Sequence, residues 1–141
     1  MLPELLKAIE SEGLHAAVSE HLEETREHGP RLEEVFRAVG AEPSSNLSPP
    51  FEKLAQHHDE LSGSIPDRRL ADVFHAAAAA ATEHLELATY DAVLALGGPV
   101  DLGDDPRGLL EQNRGEEAEA LGRVQQELER LSATLRPREA P

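Results

Sequence analysis

The chain has 141 residues, with 13 Lys plus Arg against 28 Asp plus Glu, a formal net charge of −15 and no Cys or Trp. That length buries one core and not two, and so acidic a balance leaves no basic footprint for a phosphate backbone, so nucleic acid is not an expected partner. Without Cys there are no disulfides, no Cys-ligated centres and no Cys nucleophile, and any metal falls to carboxylate, imidazole or water.

Ala and Leu dominate and β-branched residues are few, so the expected class is all-α. The opening Met1-Leu2-Pro3-Glu4 lacks the pattern of a signal peptide. The most apolar run, Ala76 to Ala81, is flanked by His75, Glu83 and His84 and does not read as a membrane span. The expected setting is therefore cytoplasmic, with no membrane partner. No Gly-x-Ser-x-Gly elbow, phosphate loop or dinucleotide glycine motif occurs.

A short helix is expected over 3–12, with Leu5, Leu6 and Ile9 on one side and Gly13 ending it. A long helix follows over 14–39, and Pro30 inside it predicts a kink or break. Residues 41–50, rich in Pro and Ser, read as a connection, followed by a modest helix over 51–62. Asp67 is the expected N-cap of a third long helix reaching Leu96, apolar nearly all round and so expected to be the most buried. After a loop at 100–105, with Asp104 or Asp105 as cap, a near-heptad helix runs over 106–135. The domain is thus expected to span 1–135, with residues 136–141 as a frayed tail.

The informative residues are polar ones at positions where the helical period calls for apolar ones. At about 100° per residue, His21, Thr25 and His28 share the apolar face of Leu14, Val18, Leu32 and Val35, and Glu24 falls at its edge. Glu24 and His28 are i, i+4 neighbours able to converge on one ion. Glu83 is the charged member of a stripe with Ala76, Ala80, Leu87, Tyr90 and Leu94, while Glu86 falls on a more polar side. Asn113 and Glu117 lie on the core line between Leu110 and Leu121. A buried carboxylate must be paired, protonated or metal-bound. Carboxylates and imidazoles converging in a bundle suit iron, manganese or zinc. On their own, Glu24, Glu83 and Glu117 also fit long acidic side chains snorkelling from an apolar edge. His21 and His84 read as core or interface histidines, and His57-His58-Asp59 as a surface or interface group.

The run His21-Leu22-Glu23-Glu24-Thr25-Arg26-Glu27-His28, with Arg31-Leu32-Glu33-Glu34-Val35-Phe36, resembles the HLEET…RLEEVF segment of the YciE/YciF-like proteins, a ferritin-like family of unknown function. Ala81 to Tyr90 is similar to its xxEHYExAxY segment, and Leu109 to Glu117 to its LLxxTLxEE segment. The resemblance implies a ferritin-like up-down four-helix bundle with a small extra helix in the central crossover. It further implies a homodimer linked to bacterial stress responses. Its metal site, for iron or manganese, maps onto Glu24, His28, Glu83, Glu86 and Glu117. Family members begin earlier, with a first-helix Glu in an LYxAExQ segment, so the expected first helix is shortened and one ligand is missing. In the last helix Ala118, Ala120 and Leu121 occupy the turn where the family has a further acidic or His residue. The implied site is therefore incomplete, mononuclear or vacant. The competing expectation is a non-catalytic bundle that acts by homodimerisation or protein association.

Overall fold

The computed structural model describes residues 2–44, 48–98 and 102–135. Among these are five α-helices and no strand: α1 (Leu2–Ala8), α2 (Glu12–Ala38), α3 (Pro49–Ser62), α4 (Arg68–Gly97) and α5 (Asp104–Thr134). The chain is an all-α bundle of three long helices, with a short first helix and a small helix in the α2–α4 crossover. The expected tail at 136–141 lies outside the described residues, as do parts of the two expected loops. No helix among the described residues is long and apolar enough to cross a membrane.

Several boundaries move for local reasons. Ser11 accepts the Leu14 amide at 3.3 Å, so α2 begins at Glu12 and takes Gly13 inside instead of ending a helix there. At its other end Gly40, with φ +67°, lets Ala41 donate to the Phe36 carbonyl and Gly40 to that of Arg37, a Schellman closure. Asp67 caps α4 as expected, accepting from the Arg69 and Leu70 amides at 2.9 and 3.1 Å. At α5 the N-cap is Gly103, with φ +85°, and Asp104 and Asp105 sit inside the first turn, where they face the positive end of the helix dipole.

Pro30 does not break α2, which runs through it. Gly29 and Pro30 are both exposed. Water can therefore serve the Arg26 carbonyl that Pro30 has no N–H to satisfy. Pro30→Ala is expected to raise stability by about 1–3 kcal/mol, read from the urea midpoint at unchanged m-value. A lowered midpoint would show that the neighbouring packing depends on the proline.

Three contacts set the helix directions. Asp72 accepts the Glu10 amide at 3.0 Å at the start of α2 and α4, which therefore run parallel. Arg123 meets Glu24, and Arg114 meets Asp91, so α5 runs antiparallel to both. The apolar core occupies one end of this bundle, where Leu5, Leu14, Val18, Ala76, Leu121 and Val124 pack together. Ala76 and Ala79 let α4 lie close to its neighbours. The burial of α4, expected to be the most buried helix, is concentrated in its first half. Past Glu83 no fully buried residue remains until Gly97, Leu87 is only partly buried against the core, and Val93 and Leu96 are 41% and 65% exposed. That half borders a cavity of about 730 Å³ between the later turns of α2 and α4 and the start of α5.

Candidate metal centre

The packed core ends, and the cavity begins, at a layer of buried acids and imidazoles. α2 supplies His21 and His28, α4 supplies Glu83 and Glu86, and α5 supplies Glu117. Parallel α2 and α4 bring His21 level with Glu83, and antiparallel α5 brings Glu117 to meet them. One ligand atom from each of His21, Glu83, Glu86 and Glu117 lies within 4.8 Å of those of the other three. Glu83 and Glu117 are each 1% exposed and His21 is 2% exposed.

His21 Nε2 lies 3.1 Å from Glu83 Oε2 and 3.2 Å from Glu117 Oε2, between the two and in line with neither. Both oxygens are fully buried, and neither has a hydrogen bond. These are close ion contacts without a directed bond. Around this centre the second partners are well made. His28 contacts Glu117 Oε1 through Nδ1 at 3.0 Å and Glu116 through Nε2 at 2.8 Å. Arg31 donates to Glu116 at 2.6 Å and to Asn113 at 2.9 Å, and Asn113 donates to the Tyr90 hydroxyl at 3.2 Å.

The electrostatics follow from three acids and one imidazole sharing a small volume. Burial pushes Glu86 up to about 9, with the neighbouring Glu117 adding to the rise. Burial likewise raises Glu83 to about 7, although contact with His21 works against it. Burial alone would lower His21, but Glu117 and Glu83 outweigh it and raise the ring to about 10. Burial would raise Glu117, yet His21 and His28 hold it below the usual carboxylate range. His28 is raised as well, its burial outweighed by Glu117 and Glu116. Burial pushes Tyr90 up to about 12. Close buried carboxylates thus hold their protons unequally, two raised and one lowered.

The residues suit a hard-to-borderline cation. Three carboxylates and one imidazole match iron, manganese or zinc. The two unbonded buried oxygens are the kind of lone pairs that an ion satisfies. Of the residues singled out in the sequence, Glu83, Glu86 and Glu117 come together here. His28 stands one step outside and orients Glu117. Glu24 is turned to Arg123, which donates to it at 2.6 Å, and it touches His21 Nδ1 at 3.3 Å, so it positions an imidazole at the edge of the group. His21, read as a core histidine, is inside the group. The signal was on the helical wheel, where His21 lies nearer the centre of the apolar face than either Glu24 or His28. His84, read as core or interface, is exposed beside Gln125. His58 is buried against α4 instead of lying at the surface.

No curated protein sequence matches the chain. Its structure is similar to that of "YcfI, a putative structural protein from Rhodopseudomonas palustris", with 31% identity and a TM-score of 0.83 over 88% of this chain and 78% of that one. Residues 1–135 match the domain of unknown function DUF892, and the chain belongs to that family.

Proposed function

We propose that this protein is a ferritin-like, YciE/YciF-like bundle that binds iron or manganese through His21, Glu83, Glu86 and Glu117. The supporting observation is the pair of fully buried carboxylate oxygens, Glu83 Oε2 and Glu117 Oε2, with no hydrogen bond beside a buried imidazole. The metal, when bound, supplies Lewis acidity or one-electron chemistry. The protein's own part is to hold the ligands in place: Glu24 orients His21, and His28 and Arg31 fix the Glu116–Glu117 turn.

Metal analysis after purification with Mn²⁺ or, anaerobically, Fe²⁺ tests this. Stoichiometric metal is expected in the wild type and none in Glu83→Ala. Glu24→Ala is expected to weaken affinity by about 10–100-fold without abolishing it, as for partners that orient a ligand. Trace metal in the wild type, unchanged by Glu83→Ala, removes the proposal.

A second reading is favoured by the uncovered apolar side chains of Val39, Val93 and Leu96 and by the cavity that Val39 and Val93 border. Large exposed apolar patches mark association sites. We propose a homodimer that covers them, with a mass that falls to the monomer on Val93→Glu in sedimentation analysis.

A further inference from the structure

We propose that α3 is a pH-released gate on the cavity beside the metal centre, held closed by the hydrogen bond between the buried histidines His58 and His75. The role of the cavity as an approach to a metal rests on the reading above; the release of α3 does not.

His58 is the one buried residue of α3 among the described residues, and α3 packs chiefly on α4. Its Nε2 lies 2.9 Å from His75 Nδ1, and its ring stacks on Phe74 with centroids 5.5 Å apart. The helix is therefore pinned by a titratable contact where an apolar side chain is usual. Its first turn meanwhile places Phe51 in the wall of the large cavity, which also exposes Glu86 and Glu117.

The proton count makes this contact conditional. Two neutral rings share one N–H across the bond, and a single added proton leaves it intact. A second proton puts N–H on both facing atoms, which loses the bond and sets two cations together in a dry site. The charged groups around the pair do little to offset this. Asp59 on α3 approaches His58 Nδ1 at 3.3 Å, but its side chain is 76% exposed. Asp72 on α4 attracts a proton to His75, yet it also accepts the Glu10 amide and is drawn to Arg130 of α5. His57, beside His58, shares the small hollow lined by Phe74, Ala77 and Ala81.

Burial lowers His75 from 6.5, and the neighbouring His58 lowers it further. A base whose docked value is depressed contributes stability above its free value and loses it as pH falls below that value. Release therefore begins below pH 6.5.

The test uses the whole chain in EDTA. Hydrogen exchange, corrected for intrinsic rates, is expected to show α3 opening up to about tenfold more per pH unit below 6.5, the limit for one proton. α5 stays protected. The chain has no Trp, so Phe51→Trp supplies a single reporter, whose quenching by acrylamide rises over the same range. His75→Gln, which keeps an acceptor for His58 but does not titrate, removes both effects and leaves α3 docked at pH 5. If that variant does not fold, His58→Gln serves in the same way. Equal α3 protection at pH 7 and pH 5 in the wild type, or an unchanged pH response in the Gln variant, overturns the gate. Failure to bind Mn²⁺ at pH 7 overturns the metal centre alone and does not alter either α3 readout.

Discussion

His21→Ala is expected to lower the folding stability of the metal-free protein by about 3–5 kcal/mol at pH 7. His21 stands at 3.1 and 3.2 Å from two buried carboxylate oxygens, Glu83 Oε2 and Glu117 Oε2, that make no hydrogen bond. Removing it takes away the nearest positive charge and leaves a void lined by acids. Glu117 keeps His28 at 3.0 Å, but Glu83 is left with no cation in contact. Glu117→Ala costs less, because His21 retains Glu83 and His28 retains Glu116. Urea denaturation in EDTA measures both. A loss below about 1 kcal/mol in His21→Ala, no more than a typical net hydrogen bond, would show that the centre relaxes around its own acids. Mn²⁺ should recover part of the loss, because three carboxylate ligands remain. An ion present at 100 times its dissociation constant stabilises by about 2.7 kcal/mol.

The second large effect is the pH dependence of the metal-free protein. Glu83 and Glu86 have folded values of about 7 and about 9 against an ordinary 4.5. As acids raised on folding, they favour the fold fully below 4.5 and lose that contribution progressively as pH climbs from 4.5 to those values. His21, raised from 6.5 to about 10, contributes fully below 6.5 and loses that contribution as pH rises toward 10. All three point the same way. Glu117, depressed on folding, works at the other limb, stabilising above 4.5 and losing its effect as pH falls. Stability should therefore peak near pH 4.5, where the unfolded acids release their protons, and fall from there into the alkaline range. Near pH 8, Glu86 and His21 each hold a proton that their unfolded forms have released. Two protons set a limit of about 2.7 kcal/mol per pH unit. Melting temperatures in EDTA from pH 5 to pH 9 read this slope, and a flat profile would mean that the acids are not buried together. Metal inverts the picture. Carboxylate ligands must be deprotonated, so binding releases protons and affinity rises with pH. Calorimetry in buffers of different ionisation enthalpy counts those protons.

Periodicity alone points to the helices, and for identifiable reasons. Apolar spacing, the Asp67 cap and the Gly97-Gly98 stop are local signals, and α4 starts and ends where they place it. The misplaced features are those where a local signal met a tertiary one. Pro30 is a helix breaker by its own chemistry, but its exposed side lets α2 continue through it. α4 is apolar on nearly every side, which implies burial all round, but its second half borders the cavity instead of a neighbouring helix. His58 falls in step with Phe51, Leu54 and Leu61 on α3, and only the packing of that helix on α4 shows that it is buried.

The acidic, Cys-free, Ala- and Leu-rich composition was sufficient to specify an all-α chain and to restrict any metal to oxygen and imidazole ligands. Helical spacing was sufficient to mark Glu83 and Glu117 as acids out of place on apolar stripes, because a 3.6-residue period is a property of one helix. Which residues face one another is a property of several. The parallel course of α2 and α4 and the antiparallel course of α5 put His21, not Glu24, between Glu83 and Glu117 and gave Glu24 to Arg123. The physical reason is the reach of the interactions. Caps, turns and periods act within a few residues, whereas a buried charge is settled by whatever partner lies across the core, and residues 21, 83 and 117 become neighbours only once the helices have packed.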